Sequence, residues 1–333
     1  MTKREIVKQT LDHKSCGHVP YSVVLTLANY DLYADRLLAD YPNPQVMRDL
    51  EDGLLTKPQA VSLAIGNHLL YVYAPWWDFY DPDREFAKEV QDPPEYLPNS
   101  RGRGSYEFFF KQMQILRDHY DVWMNVTIFG SCWEKANTLR SIENFCADLA
   151  GNTEWAQALL DKIYRKNLNM LDDFLTAPEI DSVLLGSDWG SQRGLMISPQ
   201  RFREMIKPGE KAEYDLIHQY GKKVFVHSCG NILQIMDDLC EIGVDCLNPV
   251  QPECMDLKTI KDSWGSKMSF YGGISTQKTL PLGTPAEVAA ETRATIELMS
   301  KNGGYITASS QEVQPDVSYE NLIALIETAK EFA

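Results

Sequence analysis

The sequence predicts an α/β fold, a (β/α)8 TIM barrel preceded by a short N-terminal helical extension, on three observations. Eight short apolar runs are typical of strands, and they alternate with helical patterns, most regularly from residue 182 onwards. No Gly-rich dinucleotide-binding pattern follows any of these runs, which argues against a doubly wound sheet. The length of 333 residues suits one barrel, so we expect residues 1–333 to form a single domain.

Local composition defines each predicted element. Runs of β-branched and aromatic residues bounded by Gly, Pro or Asn predict strands, and apolar residues at helical spacing predict helices. The predicted strands are 19–27, 68–74, 122–129, 182–185, 224–226, 245–248, 268–271 and 305–308. The predicted helices are 3–11, 47–55, 141–149, 153–175, 199–220, 232–242, 257–264, 285–302 and 318–332. We expect Thr153 to cap its helix and residues 92–104 to form an exposed loop.

The charge and the cysteine content exclude several classes of protein. The chain has 32 basic and 47 acidic residues and a formal net charge of −15, so we expect neither a nucleic-acid nor an anionic-membrane partner. Its seven cysteines are scattered, the N-terminus does not resemble a signal peptide, and no apolar run reaches the roughly 18 residues of a membrane span. We therefore expect a reduced, cytoplasmic enzyme.

The end of the predicted fifth strand carries two chemically capable side chains. His227 and Cys229 are two residues apart, so in an extended segment both side chains point to the same side. An imidazole and a thiol in this arrangement are compatible with half of a zinc site or with a base beside an activatable thiol. Simple packing is a third interpretation, because Cys is often buried as a small apolar residue.

Polar and aromatic side chains follow most of the predicted strands. In a (β/α)8 barrel the catalytic residues lie at the carboxyl ends of the strands, so these side chains are expected to converge on one mouth. A structural interpretation also stands for each residue, since the tryptophans can cap the barrel and Asp188 can cap a turn. The residues at these ends are Tyr73, Trp76, Trp77, Cys132, Trp133, Asp188, Trp189, His227, Cys229, Asn248, Gln251, Tyr271, Gly272, Gly273 and 309–312.

Several linked motifs point to one family. They are Gly186-Ser-Asp-Trp-Gly-Ser-Gln-Arg-Gly194, Ile197-Ser-Pro199, His227-Ser-Cys-Gly-Asn231, Asn248-Pro-Val-Gln251, Tyr271-Gly-Gly-Ile-Ser-Thr-Gln277, Leu280-Pro-Leu-Gly-Thr-Pro285, Gln314-Pro-Asp-Val317 and Glu320-Asn321. Together they resemble the uroporphyrinogen decarboxylase superfamily. The resemblance covers the barrel and is strongest from residue 182 to the end.

The resemblance favours the corrinoid-dependent methyltransferase branch over true uroporphyrinogen decarboxylases. The decarboxylases bind a substrate with eight carboxylates through an arginine-rich loop after the first strand. The corresponding segment here is Thr26-Leu-Ala-Asn-Tyr-Asp31, with no arginine before Arg36. Arg193 and Arg103 remain available for an anionic substrate. A decarboxylase or lyase acting on a smaller substrate is the alternative activity.

The zinc-dependent methyltransferases of this branch resemble the chain in the pair His227 and Cys229. Their third ligand, a cysteine after the last strand, falls at or beside Gln311 in this sequence. Glu312 or Asp188 is then the candidate oxygen ligand for a zinc ion. A zinc-dependent thiol methyltransferase is therefore a further alternative.

The chain resembles the superfamily members that work on folate, which also lack the third cysteine. The resemblance therefore implies tetrahydrofolate as the methyl acceptor in preference to a thiol. The corrinoid is expected on a separate small protein, because the chain lacks the Asp-x-His-x-x-Gly pattern of a corrinoid domain. A homodimer is left open. The residues expected to be catalytic are Asp188, His227 and Gln311. Those expected to bind substrate, with the tryptophans stacking on the pterin ring, are Trp76, Trp77, Trp133, Trp189, Gln192, Arg193, Asn248, Gln251, Tyr271, Gly272 and Gly273.

Overall fold

Parallel strands alternate with helices, as the predicted fold class requires. The computed structural model describes residues 1–79, 85–94, 105–128 and 130–333. The helices are α1 (Lys3–Leu11), α2 (Leu27–Asp40), α3 (Pro44–Glu51), α4 (Lys57–Ala64), α5 (Tyr106–His119), α6 (Cys132–Arg140), α7 (Ile142–Gly151), α8 (Thr153–Leu175), α9 (Pro199–Arg201), α10 (Lys207–Gln219), α11 (Met236–Ile242), α12 (Leu257–Trp264), α13 (Thr279–Leu282), α14 (Pro285–Met299) and α15 (Tyr319–Lys330). A π-helical turn, Phe202–Ile206, joins α9 to α10, and a 3-10 turn, Leu233–Ile235, precedes α11.

The strands are short and mostly buried. They are β1 (Leu69–Val72), β2 (Trp123–Ile128), β3 (Ser182–Gly186), β4 (Gly190–Ser191), β5 (Gly194–Leu195), β6 (Lys223–His227), β7 (Cys246–Asn248), β8 (Ser269–Ile274) and β9 (Tyr305–Ser309). Continuous burial along β2, β3, β8 and β9 is typical of parallel strands that are covered on both faces. No helix among the described residues is long and apolar enough to cross a membrane.

Backbone contacts divide the chain into two compact units. The first unit is Met1–Tyr71, Ile115–Met124 and Cys246–Ala333, and the second unit is Val72–Gln114 and Asn125–Asp245. The expectation of one domain over residues 1–333 stays a prediction.

In the second unit, three strands pair side by side in parallel. β2 pairs with β3 from Asn125 opposite Ser182, and β3 pairs with β6 up to Gly186 opposite His227. The long helix α8 packs against α6, α7 and α10. The carboxyl ends of the three strands therefore lie together at one edge of this unit.

In the first unit, β8 lies between β7 and β9, again in parallel. The predicted first strand, 19–27, is present only as isolated bridges from Tyr21 to Thr307 and from Leu25 to Val313. Its end was wrongly predicted, because Thr26 caps α2 by accepting a hydrogen bond from the Asn29 N–H at 3.3 Å. Residues 26–31, expected as a loop, therefore hold the cap and the first turns of a helix.

Several predicted elements match the structure. The bounds of α1, α8 and α12 are those expected, and the other predicted helices and strands overlap observed ones, except for the first predicted strand. The N-cap of α8 is Asn152 instead of Thr153. The elements that were not predicted from the sequence are α2, α4, α5, α6, α13 and the β4–β5 hairpin. Phe129, the last residue of the third predicted strand, lies outside the described residues, and so do residues 95–104 of the expected loop.

Candidate active site

Two neighbouring strands of the second unit carry the chemistry of the candidate site. β3 ends at Gly186, which lies opposite His227, the last residue of β6. The Ser187 N–H then donates a hydrogen bond to the carbonyl oxygen of His227 at 2.8 Å, which extends the ladder by one step. This register brings Asp188, two residues beyond β3, beside Cys229, two residues beyond β6.

Asp188, His227 and Cys229 form one cluster. The Cys229 Sγ lies 3.4 Å from the His227 Nε2, which in turn lies 3.7 Å from Oδ1 of Asp188. The Cys229 N–H donates a hydrogen bond to the same Asp188 oxygen at 2.8 Å. The Asp188 side chain is 44% exposed and that of His227 is 20% exposed, so the cluster is open to small molecules.

The donor set of this cluster fits a zinc ion. One nitrogen, one sulfur and one carboxylate oxygen lie within 4.8 Å of one another, and these are the atom types that zinc prefers. Metal–ligand bonds of about 2.0–2.3 Å in a tetrahedral site place neighbouring donor atoms roughly 3.3–3.6 Å apart. The observed 3.4 and 3.7 Å are close to that spacing. Three protein donors also leave a fourth position for a substrate atom.

Most of the second unit lies within a region of the chain that matches a known family. Residues 84–332 match the family described as uroporphyrinogen decarboxylase (URO-D). The chain belongs to this family. A comparison with curated proteins found no match.

Solved structures with a similar fold include a methyltransferase from Methanosarcina mazei. It is 19% identical, with a TM-score of 0.73, and the alignment covers 100% of this chain and 99% of that chain. The similarity confirms the predicted barrel fold class. Weaker similarities include a β-mannanase from the blue mussel Mytilus edulis, 12% identical over 94% of this chain and 92% of that chain with a TM-score of 0.46. A β-L-arabinopyranosidase from Geobacillus stearothermophilus is 12% identical over 96% and 78%, with a TM-score of 0.42.

In this URO-D family member, the β4–β5 hairpin directly follows the segment that carries Asp188. Gly190 pairs with Leu195 and Ser191 pairs with Gly194, so Gln192 and Arg193 form the turn. Both turn residues are exposed. The structure therefore places the two predicted substrate-binding residues at the tip of a hairpin that begins two residues after Asp188.

The four tryptophans predicted to bind substrate are all buried. Trp76, Trp77 and Trp189 have no exposed surface, and Trp133 is 1% exposed. The Trp77 indole N–H donates a hydrogen bond to the Asn167 side-chain oxygen at 2.8 Å. The other three rings contact Phe174, Phe145 or Phe202. In this conformation the four rings pack inside the protein, and their stacking on a ligand stays a prediction.

The first unit holds the remaining predicted substrate residues. The Asn248 amide donates to the Tyr271 carbonyl oxygen at 3.1 Å, and the Tyr271 hydroxyl lies 3.0 Å from that of Tyr71. Burial raises the pKa of Tyr271 to about 12. Gly272 and Gly273 both have positive φ, and a Cβ on Gly272 would lie 2.8 Å from the Val250 nitrogen. These residues are held by contacts within their own unit.

Three further predicted residues of the first unit differ in exposure. Gln251 is 5% exposed, whereas Gln311 and Glu312 are half-buried just after β9. The Gln311 side-chain oxygen accepts the Glu312 N–H at 2.9 Å. The proposed roles of Gln311 in catalysis and of Glu312 as a metal ligand stay predictions.

A partly buried carboxyl group next to the cluster was not predicted from the sequence. Glu134 accepts the Ser131 N–H at 3.0 Å in a capping box, and its oxygens lie 3.3–3.4 Å from where a Cβ on Gly186 would lie. Burial, reinforced by the Asp188 carboxylate, raises the pKa of Glu134 to about 8. The pattern Ser131-x-x-Glu134 is a capping signature that the sequence did offer.

A buried ionisable cluster on α6, α8 and α10 was also missed. Lys135 is 1% exposed, and its Nζ lies 4.8 Å from the centre of the Trp77 ring and 3.9 Å from the Asp78 carboxylate. Burial lowers the pKa of Lys135 to about 8. Glu210 and Glu213 have no exposed surface, and burial raises the pKa of each.

Hydrogen bonds from helix side chains hold the two glutamates. The hydroxyls of Tyr164 and Tyr214 donate to Glu210 at 3.1 and 2.8 Å, and the Asn167 amide donates to Glu213 at 2.8 Å. Lys135, Glu210 and Glu213 lie on helices, and the sequences of these helices give no signal that the three side chains are buried.

Proposed function

We propose that this URO-D family member is a methyltransferase that moves a methyl group between a corrinoid on a separate protein and a small thiol. The observation that carries the proposal is the cluster of Asp188, His227 and Cys229 at the ends of two adjacent strands. The similarity of the fold to that of a methyltransferase agrees with this reaction class.

Zinc is the metal that this donor set fits, and a bound zinc ion would keep an acceptor thiol deprotonated near neutral pH. The side chains of His227, Cys229 and Asp188 would hold it. Asp188 also accepts the Cys229 N–H, so one carboxylate orients the loop that carries the thiol. The protein would thereby hold the site that binds the acceptor thiol before the methyl donor arrives, which is the positioning part of catalysis.

The proposed transfer balances without a redox partner. The bond between cobalt and the methyl carbon would break with its electron pair left on cobalt. A new bond would form between that carbon and the acceptor sulfur, with the pair supplied by the thiolate. The thiol proton would be released to solvent, which reaches the cluster at the half-exposed side chain of Asp188.

Tetrahydrofolate, favoured by the sequence, is the competing acceptor. Its pterin ring needs a flat apolar surface, and the four tryptophan rings expected to provide one are buried by protein contacts. A thiol needs only the cluster that the structure contains. We therefore propose the thiol first.

Decarboxylation of a large polyanion has less support. Arg36, the first arginine after the predicted first strand, stacks on the Tyr319 ring at 3.6 Å and lies 3.9 Å from both Asp40 and Glu320. Its guanidinium is therefore held by its own unit. Arg103 lies outside the described residues.

Methyl transfer from free methylcobalamin tests the proposal directly. Purified protein with measured zinc content is incubated with methylcobalamin and either 2-mercaptoethanol or tetrahydrofolate, and cobalt demethylation is followed by absorbance. Zinc-dependent methylation of the thiol would support the proposal. Zinc-independent methylation of tetrahydrofolate would restore the folate acceptor. Loss of methyl from neither mixture would contradict the methyltransferase assignment and favour a decarboxylase of a smaller substrate.

A further inference from the structure

Two glycines lie against each other where the β4–β5 hairpin crosses the loop after β6. A Cβ on Gly190 would lie 2.5 Å from the Cys229 carbonyl oxygen and 2.9 Å from the Ile232 side chain. A Cβ on Gly230 would lie 2.6 Å from the Gly190 carbonyl carbon and from the Ser191 oxygen. The backbones of the hairpin and the loop therefore approach more closely than any side chain permits.

Hydrogen bonds donated by backbone N–H groups close the same contact from both sides. The Asn231 N–H donates to the Ser191 carbonyl oxygen at 2.8 Å, and the Trp189 N–H donates to the Ser228 hydroxyl at 3.1 Å. Between these two bonds, the Cys229 N–H donates to Asp188. The segments 187–191 and 227–231 thus join along their length around the cluster.

Turn geometry does not explain Gly190. Gly230 has φ +80°, which alone favours glycine, but Gly190 has no positive φ. The close approach to Cys229 is the property that requires glycine at position 190.

We propose that Gly190 and Gly230 are positioning residues, which set Cys229 and Asp188 at the spacing needed to bind one metal ion. Widening this contact would move the Cys229 backbone away from Asp188 and separate sulfur from nitrogen and oxygen. Groups that orient metal ligands typically change metal affinity by roughly 10- to 100-fold when altered. The inference rests on the proposed metal site. It means that the close contact between the hairpin and the loop after β6 holds the metal ligands in place before the metal binds.

Four glycine-to-alanine variants separate contact from backbone strain. Gly190→Ala introduces the contact without a φ penalty, and its control is Gly151→Ala, where nothing lies within 4 Å. Gly230→Ala adds the contact at φ +80°, and its control is Gly221→Ala, at φ +71° with nothing within 4 Å. Ser228→Ala loosens the crossing without adding any atom, so it serves if the first variants do not fold.

The readouts are the zinc Kd by chelator competition, the thiolate-to-cobalt charge-transfer absorption after Co²⁺ titration, and the unfolding temperature without metal. We expect Gly190→Ala and Gly230→Ala to weaken zinc binding roughly 10- to 100-fold and to reduce the charge-transfer band. Ser228→Ala should weaken binding several-fold, and the two glycine controls should leave the Kd unchanged.

A double-mutant cycle distinguishes positioning from general loosening. If Gly190 acts through Cys229, Gly190→Ala should cost no further affinity in a Cys229→Ser background. Equal zinc Kd values for wild type, Gly190→Ala and Ser228→Ala, or full additivity in the cycle, would overturn the inference and leave the proposed function standing. Failure of the wild-type protein to bind zinc or cobalt would instead remove the metal site and the inference with it.

Discussion

Replacing Lys135 with methionine is expected to stabilise the protein at neutral pH. Burial lowers the pKa of Lys135 from 10.5 to about 8, and such a difference corresponds to about 3 kcal/mol against the folded state. This penalty is fully present below pH 8, where the ammonium is charged in both states. It declines as the pH rises from 8 to 10.5, because the folded state loses its proton first.

The structure also gives the offsetting term. Lys135 Nζ lies 4.8 Å from the centre of the Trp77 ring, and losing this cation–π contact costs about 1 kcal/mol. Lys135→Met is therefore expected to raise the free energy of unfolding by about 2 kcal/mol at pH 7. Near pH 9.5 the gain should fall to about zero, because about 2 kcal/mol of the penalty has then been relieved.

Urea unfolding at pH 7.0 and pH 9.5 measures both values. Lys211→Met is the matched control, because Lys211 is an exposed partner of Asp215 on α10, and we expect its effect to stay within about 0.5 kcal/mol. A gain that does not change with pH, or a variant less stable than wild type at pH 7, would refute the electrostatic reasoning.

Three further substitutions test the site and its support. Asp188→Asn keeps an oxygen for the Cys229 N–H but removes the charge. Zinc affinity measured by titration should therefore fall more than tenfold and turnover should cease, while the circular dichroism spectrum stays unchanged. Full activity of this variant would exclude Asp188 from catalysis. Cys229→Ser should sharply lower the zinc-to-protein ratio measured by atomic absorption, and an unchanged ratio would assign Cys229 to packing. The pKa of Asp245 is held low because hydrogen bonds from His218 and Lys223 outweigh the effect of burial. Its stabilisation is present above the ordinary carboxyl pKa and is lost as the pH falls through the lower folded value, so thermal unfolding from pH 7 to pH 3 should show a shallower acid loss for Asp245→Asn.

The sequence located both strands that carry the cluster, whereas several helices, including α4 and α6, were not predicted. The β3 and β6 runs are apolar and end in Gly or polar residues, so local composition alone located them. Helices α4 and α6 were missed although each begins with a capping box, at Thr56 and Ser131. Apolar runs and breakers carried the predicted elements, whereas these helices are defined at their first turn by hydrogen bonds that backbone N–H groups donate to side-chain oxygens.

The cluster could be anticipated in part for a similar reason. Two residues apart at the end of a strand, His227 and Cys229 share a side by local geometry alone. The position of Asp188 beside this pair depends on the register between β3 and β6. The sequence does not fix that register, so it left both Asp188 and Glu312 as candidates for the oxygen ligand. The burial of Lys135 and Glu213 could not be predicted, because a charged residue in a helix is normally exposed and only packing between helices decides otherwise.

All three donors of the cluster belong to the second unit, at or just beyond the carboxyl ends of the adjacent strands β3 and β6. Binding of the proposed metal would therefore be linked thermodynamically to the opening of that unit, since separating β3 from β6 would destroy the donor set. A metal present at 100 times its Kd adds about 2.7 kcal/mol to the cost of such an opening. Amide hydrogen exchange along β3 and β6 should slow by the corresponding factor of about 100. The exchange rates of these backbone amides would then report directly how much of the site is occupied by metal.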